Sequence, residues 1–162
     1  MTEMKKEQMT ETERTESTVD AANEVVLVQQ VALQNWTRSQ NQLWKLEQVS
    51  GNKYRIKNAA SNLYLDVKDA NPNSGAELMA YMGTGGANQE FTFEECNWGL
   101  IGAHLIKTFS GKAIENAYGV YDRMLAIWDV NREMHQQWVL VNMDNGNCAI
   151  FNQRSGWVLG TV

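Results

Sequence analysis

A glutamine followed two residues later by an aromatic ring occurs three times at one spacing: Gln42 with Trp44, Gln89 with Phe91 and Gln136 with Trp138, successive glutamines lying 47 residues apart. A fixed period of this length marks a supersecondary unit that buries its apolar face only against its neighbours. The repeat extends beyond the tripeptide. Residues 56–66 (IKNAASNLYLD), 106–115 (IKTFSGKAIE) and 150–160 (IFNQRSGWVLG) are copies of one strand–turn–strand pattern. The last copy has no Gln-x-Trp behind it, and the first Gln-x-Trp has no copy in front of it. Residues 22–162 number 141, three times 47. The counting predicts a closed three-fold structure whose chain starts in mid-repeat, with Val162 beside Ala22.

The runs at residues 25–28, 53–56, 63–65, 90–93, 138–141 and 148–151 are β-branched or aromatic, and Gly/Asn/Ser clusters separate them. Asn145-Gly146 between two apolar runs predicts a hairpin. Short strands at this spacing predict an all-β barrel with no helix in residues 22–162. Residues 1–21 differ in composition: Thr, Glu, Lys and Met without an aromatic residue. Six acids and three bases in residues 1–20 carry −3 of the net −5. A disordered acidic tail, a solubiliser or a partner arm, is expected there. Residues 22–162 then form the one domain.

Composition excludes several functions. No basic stripe exists for a phosphate backbone, so nucleic acid is not an expected partner. No apolar run approaches 18 residues, so no membrane insertion is expected. The charged N-terminus lacks a signal region, and the expected location is cytoplasmic, or outside the cell by a route without a standard signal. Cys96 and Cys148 fall in different repeats and read as free buried thiols. Two histidines and no Cys/His cluster predict no metal and no cofactor. No nucleophile–base motif, phosphate loop or His-Glu-x-x-His is present, so no enzymatic activity is expected. His104 reads as a residue just before a strand.

A three-fold all-β chain with Gln-x-Trp in each repeat resembles the ricin B-type lectins, which are β-trefoils. The likeness is best in the second repeat, through Asn62 to Val67, Gly75 to Tyr81 and Gly85 to Phe91, where Phe91 replaces Trp. Trp44, Phe91 and Trp138 read as core aromatics, and each paired Gln as a loop anchor through its amide.

The resemblance also implies where sugar would bind: a carboxylate in the Leu-Asp-Val strand, an aromatic ring in the next strand, and an amide just before Gln-x-Trp. Such a set stacks a sugar's apolar face on a ring and hydrogen-bonds its hydroxyls. In the second repeat these roles fall to Asp66, Tyr81, Asn88 and Gln89. The blander reading leaves Asp66 as a turn cap and Tyr81 as a surface ring. In the third repeat they fall to Glu115, Trp128, His135 and Gln136, with Asp129 as a second acceptor. His135 in place of Asn predicts affinity sensitive to pH near ~6–7. In the split first repeat Gly160 and Gln34 supply neither charge nor ring, and that site is expected to be dead although Asn41 and Gln42 remain.

The expected function is binding of glycans or glycoproteins ending in galactose or N-acetylgalactosamine. Shallow sites of this kind bind at about millimolar strength, so avidity calls for two sites per chain or a homo-oligomer. The alternative is a protein-interaction trefoil such as a protease inhibitor, scaffold or toxin-targeting subunit, with residues 68–77 or 118–123 as the inserting loop.

Overall fold

The structure, a computed structural model, describes residues 27–96, 102–117 and 123–162. Twelve strands follow one another: β1 (Val28–Gln34), β2 (Trp44–Ser50), β3 (Lys53–Asn58), β4 (Tyr64–Val67), β5 (Leu78–Tyr81), β6 (Phe91–Glu95), β7 (Ala103–Lys107), β8 (Ala113–Asn116), β9 (Leu125–Trp128), β10 (Trp138–Asn142), β11 (Asn147–Asn152) and β12 (Val158–Thr161). Among the described residues the only helical elements are single 3-10 turns. Three of these, Gln40–Gln42, Ala87–Gln89 and Met134–Gln136, repeat at the 47-residue period and each ends on the motif glutamine.

Six strands close a ring in which each pairs with two others: β2 with β3, β3 with β6, β6 with β7, β7 with β10, β10 with β11, and β11 back to β2. Closure removes the sheet edges. The remaining strands form three antiparallel pairs, β4–β5, β8–β9 and β12–β1, which cap the ring. This is the expected β-trefoil. The third cap pair joins the two ends of the chain. Val31 pairs with Thr161, and the Val162 N–H donates to the Gln30 carbonyl at 2.9 Å. Ala22, the residue that counting named, lies outside the described residues; within them the ends meet at β1 and β12.

Residues Val25 and Val26 of the first expected strand also lie outside the described residues. The strand itself starts at Val28 and runs on to Gln34, because β12 and β5 hold it from both sides. Asn145 and Gly146 turn β10 into β11 with φ of 63° and 76°, the backbone that an Asn-Gly hairpin requires. His104 lies inside β7, not before it. Its ring packs edge-on against Phe93, which keeps the position in the sheet.

Directly opposed residues of an antiparallel pair share a face, and faces alternate along a strand. Leu33, Ala80 and Ile127, one from each repeat, thus point inward with Leu159, Leu65 and Ile114 opposite them. Trp44, Phe91 and Trp138 are buried beneath. The Trp44 indole donates to the Leu159 carbonyl at 3.0 Å, and Trp138 to Ile114 at 2.9 Å. Phe91 has no N–H to offer at the matching place. Cys96 and Cys148 are free and buried.

Candidate functional site

The same pairings set the opposite face of each cap. Asp66 opposes Met79 and Tyr64 opposes Tyr81, so Asp66 and Tyr81 share one side of the second cap. Glu115 and Trp128 share the corresponding side of the third, and Gly160 and Gln34 that of the first.

The motif glutamine braces this side by one repeated arrangement. Its Oε1 accepts the backbone N–H five residues upstream: Thr37 at 2.9 Å, Thr84 at 3.0 Å and Asn131 at 3.0 Å. Its Nε2 donates to the carbonyl seven residues upstream: Asn35 at 2.8 Å, Met82 at 2.8 Å and Asp129 at 2.9 Å. The second Nε2 hydrogen goes to an acceptor side chain on the cap: Gln34 at 2.9 Å, Asp66 at 2.8 Å and Glu115 at 2.9 Å. One amide thus folds the loop back and fixes the acceptor.

In the second repeat, Asn88 Nδ2 donates to Asp66 Oδ1 at 3.1 Å while Gln89 holds Oδ2. Asp66 is 1% exposed. Burial pushes its carboxyl above the usual range, and the bonds from Gln89 and Asn88 oppose that shift. Each oxygen keeps lone-pair capacity beyond the one bond it accepts. Tyr81 is half-buried beside it. Tyr64 joins this face, an aromatic that sequence reading placed only in a strand. Its ring lies against Gly83, where a Cβ would meet it at 2.9 Å, and its hydroxyl donates to Glu47 at 2.8 Å. The available signal was its place two residues before Asp66 in one strand.

In the third repeat, Gln136 Nε2 and His135 Nε2, at 3.2 Å, converge on Glu115 Oε1 and leave Oε2 outside both contacts. His135 Nδ1 is 3.9 Å from Glu133 Oε1. Trp128 is 45% exposed. Its ring edge faces Gly75, where a Cβ would sit 3.6 Å from Cζ3. The expected second acceptor, Asp129, is instead bound to Lys112 Nζ at 2.8 Å. A cation in reach competes for that carboxylate. Residues 68–77, one of the two loops considered for partner insertion, lie docked on β9: the Gly75 N–H donates to the Ile127 carbonyl at 2.8 Å. Residues 118–122 of the other loop lie outside the described residues.

In the first repeat, Gln34 bends over the cap. Its Oε1 takes the bonds that the carboxylate takes elsewhere, from Gln42 Nε2 and from Asn41 Nδ2 at 3.3 Å. Its Nε2 donates to the Thr161 carbonyl at 3.0 Å. The acceptor here is neutral, and the ring position is used up in supplying it.

The sequence model of the family described as ricin-type beta-trefoil lectin domain-like matches residues 13–81 and 40–101, together more than half of the chain. The chain belongs to this family. Solved structures agree on the trefoil. A designed three-fold symmetric protein, ThreeFoil, is 25% identical over 68% of this chain and 79% of its own, with a TM-score of 0.63. An exo-β-1,3-galactanase from Clostridium thermocellum is 23% identical over 77% of this chain, with a TM-score of 0.60, and this chain spans 33% of it. A Polyporus squamosus lectin, solved with the epitope Neu5Acα2-6Galβ1-4GlcNAc, is 17% identical over 68% of this chain, with a TM-score of 0.53. The trefoil here spans 48% of that lectin. No curated protein matches the chain by sequence.

Within this ricin-type trefoil, the fold brings together Asp66, Tyr81, Asn88 and Gln89 in one repeat and Glu115, Trp128, His135 and Gln136 in another. The two sets differ in presentation. The second repeat offers a buried carboxylate with both oxygens engaged. The third offers a carboxylate whose Oε2 lies outside the His135 and Gln136 contacts, on the face that holds an exposed indole.

Proposed function

We propose that this ricin-type trefoil is a non-enzymatic lectin that binds terminal galactose or N-acetylgalactosamine-type glycans at the second and third caps. The observation that carries the reading is the carboxylate in each of these caps, fixed by two side-chain donors on the face that also holds an aromatic ring. A pyranose matches such a set: the ring takes its C–H face and the carboxylate its vicinal hydroxyls. The first cap supports the reading by contrast, since its neutral Gln34 takes the acceptor place and leaves no ring.

A glycan array with the labelled protein tests this, repeated with Asp66→Ala and with Trp128→Ala. Binding to galactose-terminated glycans, weakened by each variant with the melting temperature of Trp128→Ala unchanged, supports the lectin and both sites. Absence of binding to every glycan by folded protein sinks it and favours the protein-interaction trefoil.

A further inference from the structure

Trp36 has no part in the three caps. The motif amide of Gln42 pins the backbone on both sides of it, at Asn35 and Thr37. The indole packs edge-on against Phe151, with ring centres 5.4 Å apart, and the Arg38 guanidinium lies over it at 5.8 Å. Together with Leu43 and Met143 it floors a cleft of about 440 Å³ between the first-repeat loop and the β10–β11 turn. Gln40, Asn142, Asp144, Asn145 and Asn147 form the rim. The volume lies in the range of ligand pockets, roughly 300–1,000 Å³.

The repeat supplies the control. Stepping by 47 residues, Trp36 corresponds to Gly83 and Val130, and Leu43 to Glu90 and Gln137. Glu90 is tied to Arg55 at 2.8 Å and Lys53 at 3.9 Å, so charge pairing occupies the equivalent ground in the second repeat. The apolar floor of Trp36 and Leu43 is therefore particular to the split first repeat, where the two ends of the chain meet. Arg38 stands at φ 67°, at a turn position where the second repeat has Gly85 at φ 74° and the third Arg132 at φ 65°. A left-handed backbone disfavours a side chain, and this fold accepts glycine there. Among the described residues Arg38 makes no ion pair; its guanidinium is held only by the indole.

We propose that this cleft is a further saccharide site, separate from the Asp66 and Glu115 caps, that takes one hexose unit. The C–H face lies on the Trp36 indole. Arg38, Asp144 and the amides of Asn142, Asn145 and Asn147 bind the hydroxyls. An indole with convergent donors and acceptors suits a neutral polyol with one apolar face. Because Arg38 and Asp144 are both on the rim, no net charge is demanded of the sugar.

The test is a ¹H–¹⁵N NMR titration that follows the indole N–H signals of Trp36 and Trp128. The probes are methyl galactoside, methyl glucoside and methyl N-acetylglucosaminide, each to about 100 mM, since single shallow sites bind at about millimolar strength. The proteins are wild type, Arg38→Gly and the double variant Asp66→Asn, Glu115→Gln. The expected result is a saturable Trp36 shift with at least one sugar. It persists in the double variant and is lost or weakened at least fivefold in Arg38→Gly, a substitution that relaxes the turn and leaves the fold intact. No saturable Trp36 shift with any probe overturns the site. So does a Trp36 shift that vanishes with the double variant or is indifferent to Arg38→Gly. Trp128 reports the third cap independently, so failure of that site and failure of this one are read separately.

Discussion

Gln34 Oε1 lies 2.5 Å from where a Cβ on Gly160 would stand. The two residues are diagonal neighbours on one face of the β1–β12 pair, and the side chain of one occupies the place that the side chain of the other would need. In the other caps that place holds Asp66 or Glu115, and the opposing strand is free to carry a ring. Gly160 thus leaves room for the Gln34 amide, which couples the two positions.

This coupling is open to a double-mutant cycle. Gly160→Ala overpacks the cap, which costs about 1–3 kcal/mol. Gln34→Ala removes the obstruction, so the double variant is more stable than the two single costs predict. Urea unfolding of the four proteins measures the coupling. Strict additivity would show that Gln34 simply swings away.

The core rings should rank by what they lose. Trp138→Phe keeps the packing, as Phe91 does in its own repeat, but orphans the Ile114 carbonyl that the indole reaches at 2.9 Å. About 1–3 kcal/mol is expected. Trp138→Ala adds a cavity and costs about 3–5 kcal/mol. A Trp138→Phe variant as stable as wild type in chemical denaturation contradicts the assignment of that hydrogen bond.

Asn116 lies on the core face of β8, fully buried, with neither amide atom hydrogen-bonded among the described residues. Val67 is its counterpart in the second repeat and is equally buried. Asn116→Val should therefore raise stability by about 1–2 kcal/mol. A lowered melting temperature in calorimetry refutes this reading of the site.

Asp66 should mark the pH dependence of folding. Burial raises its pKa from 3.8. A carboxyl raised in the fold binds its proton more tightly there than in the unfolded chain. Its contribution is fully present below 3.8 and is lost as pH rises through the raised value. Asp66→Asn cannot titrate. The stability of wild type relative to this variant should fall as pH rises from 3.8 through the raised value. A difference that stays flat, or grows with pH, removes burial as the dominant influence on this carboxyl.

Both thiols should be inert in the native protein. Burial pushes Cys148 up to about 11 and raises Cys96 as well. Little thiolate exists at neutral pH, and neither sulfur is exposed. Ellman's reagent at about pH 8 should react only as fast as the chain opens. Two thiols titrated at once in native buffer contradict the burial.

The trefoil was legible from counting because its period is set by local chemistry. A glutamine five residues past one N–H and seven past one carbonyl can brace the same loop in every repeat, and the aromatic two residues on always faces inward. Those offsets are short and survive in the chain itself. The same holds for the Asn145-Gly146 turn, whose backbone its two residues dictate. Which residues could be carboxylate, ring and amide came from the resemblance to the ricin B-type lectins, and the strand register puts carboxylate and ring on one side. What the sequence did not hold was the outcome of competition across strands. Glu115 and Asp66 look alike as acids, yet the extra methylene of Glu115 brings both donors onto one oxygen and leaves the other outside. Asp129 looks available until Lys112, 17 residues upstream, is seen to claim it. Gln34 and Gly160 are 126 residues apart, and only closure of the chain ends makes one fill the other's space. Trp36 followed the same rule: pinned by its neighbours' bonds to Gln42, it points to a cleft whose far wall comes from the opposite end of the chain. Distances along the chain set the repeat; which of its side chains meet, and which are left facing solvent, was decided by packing between repeats.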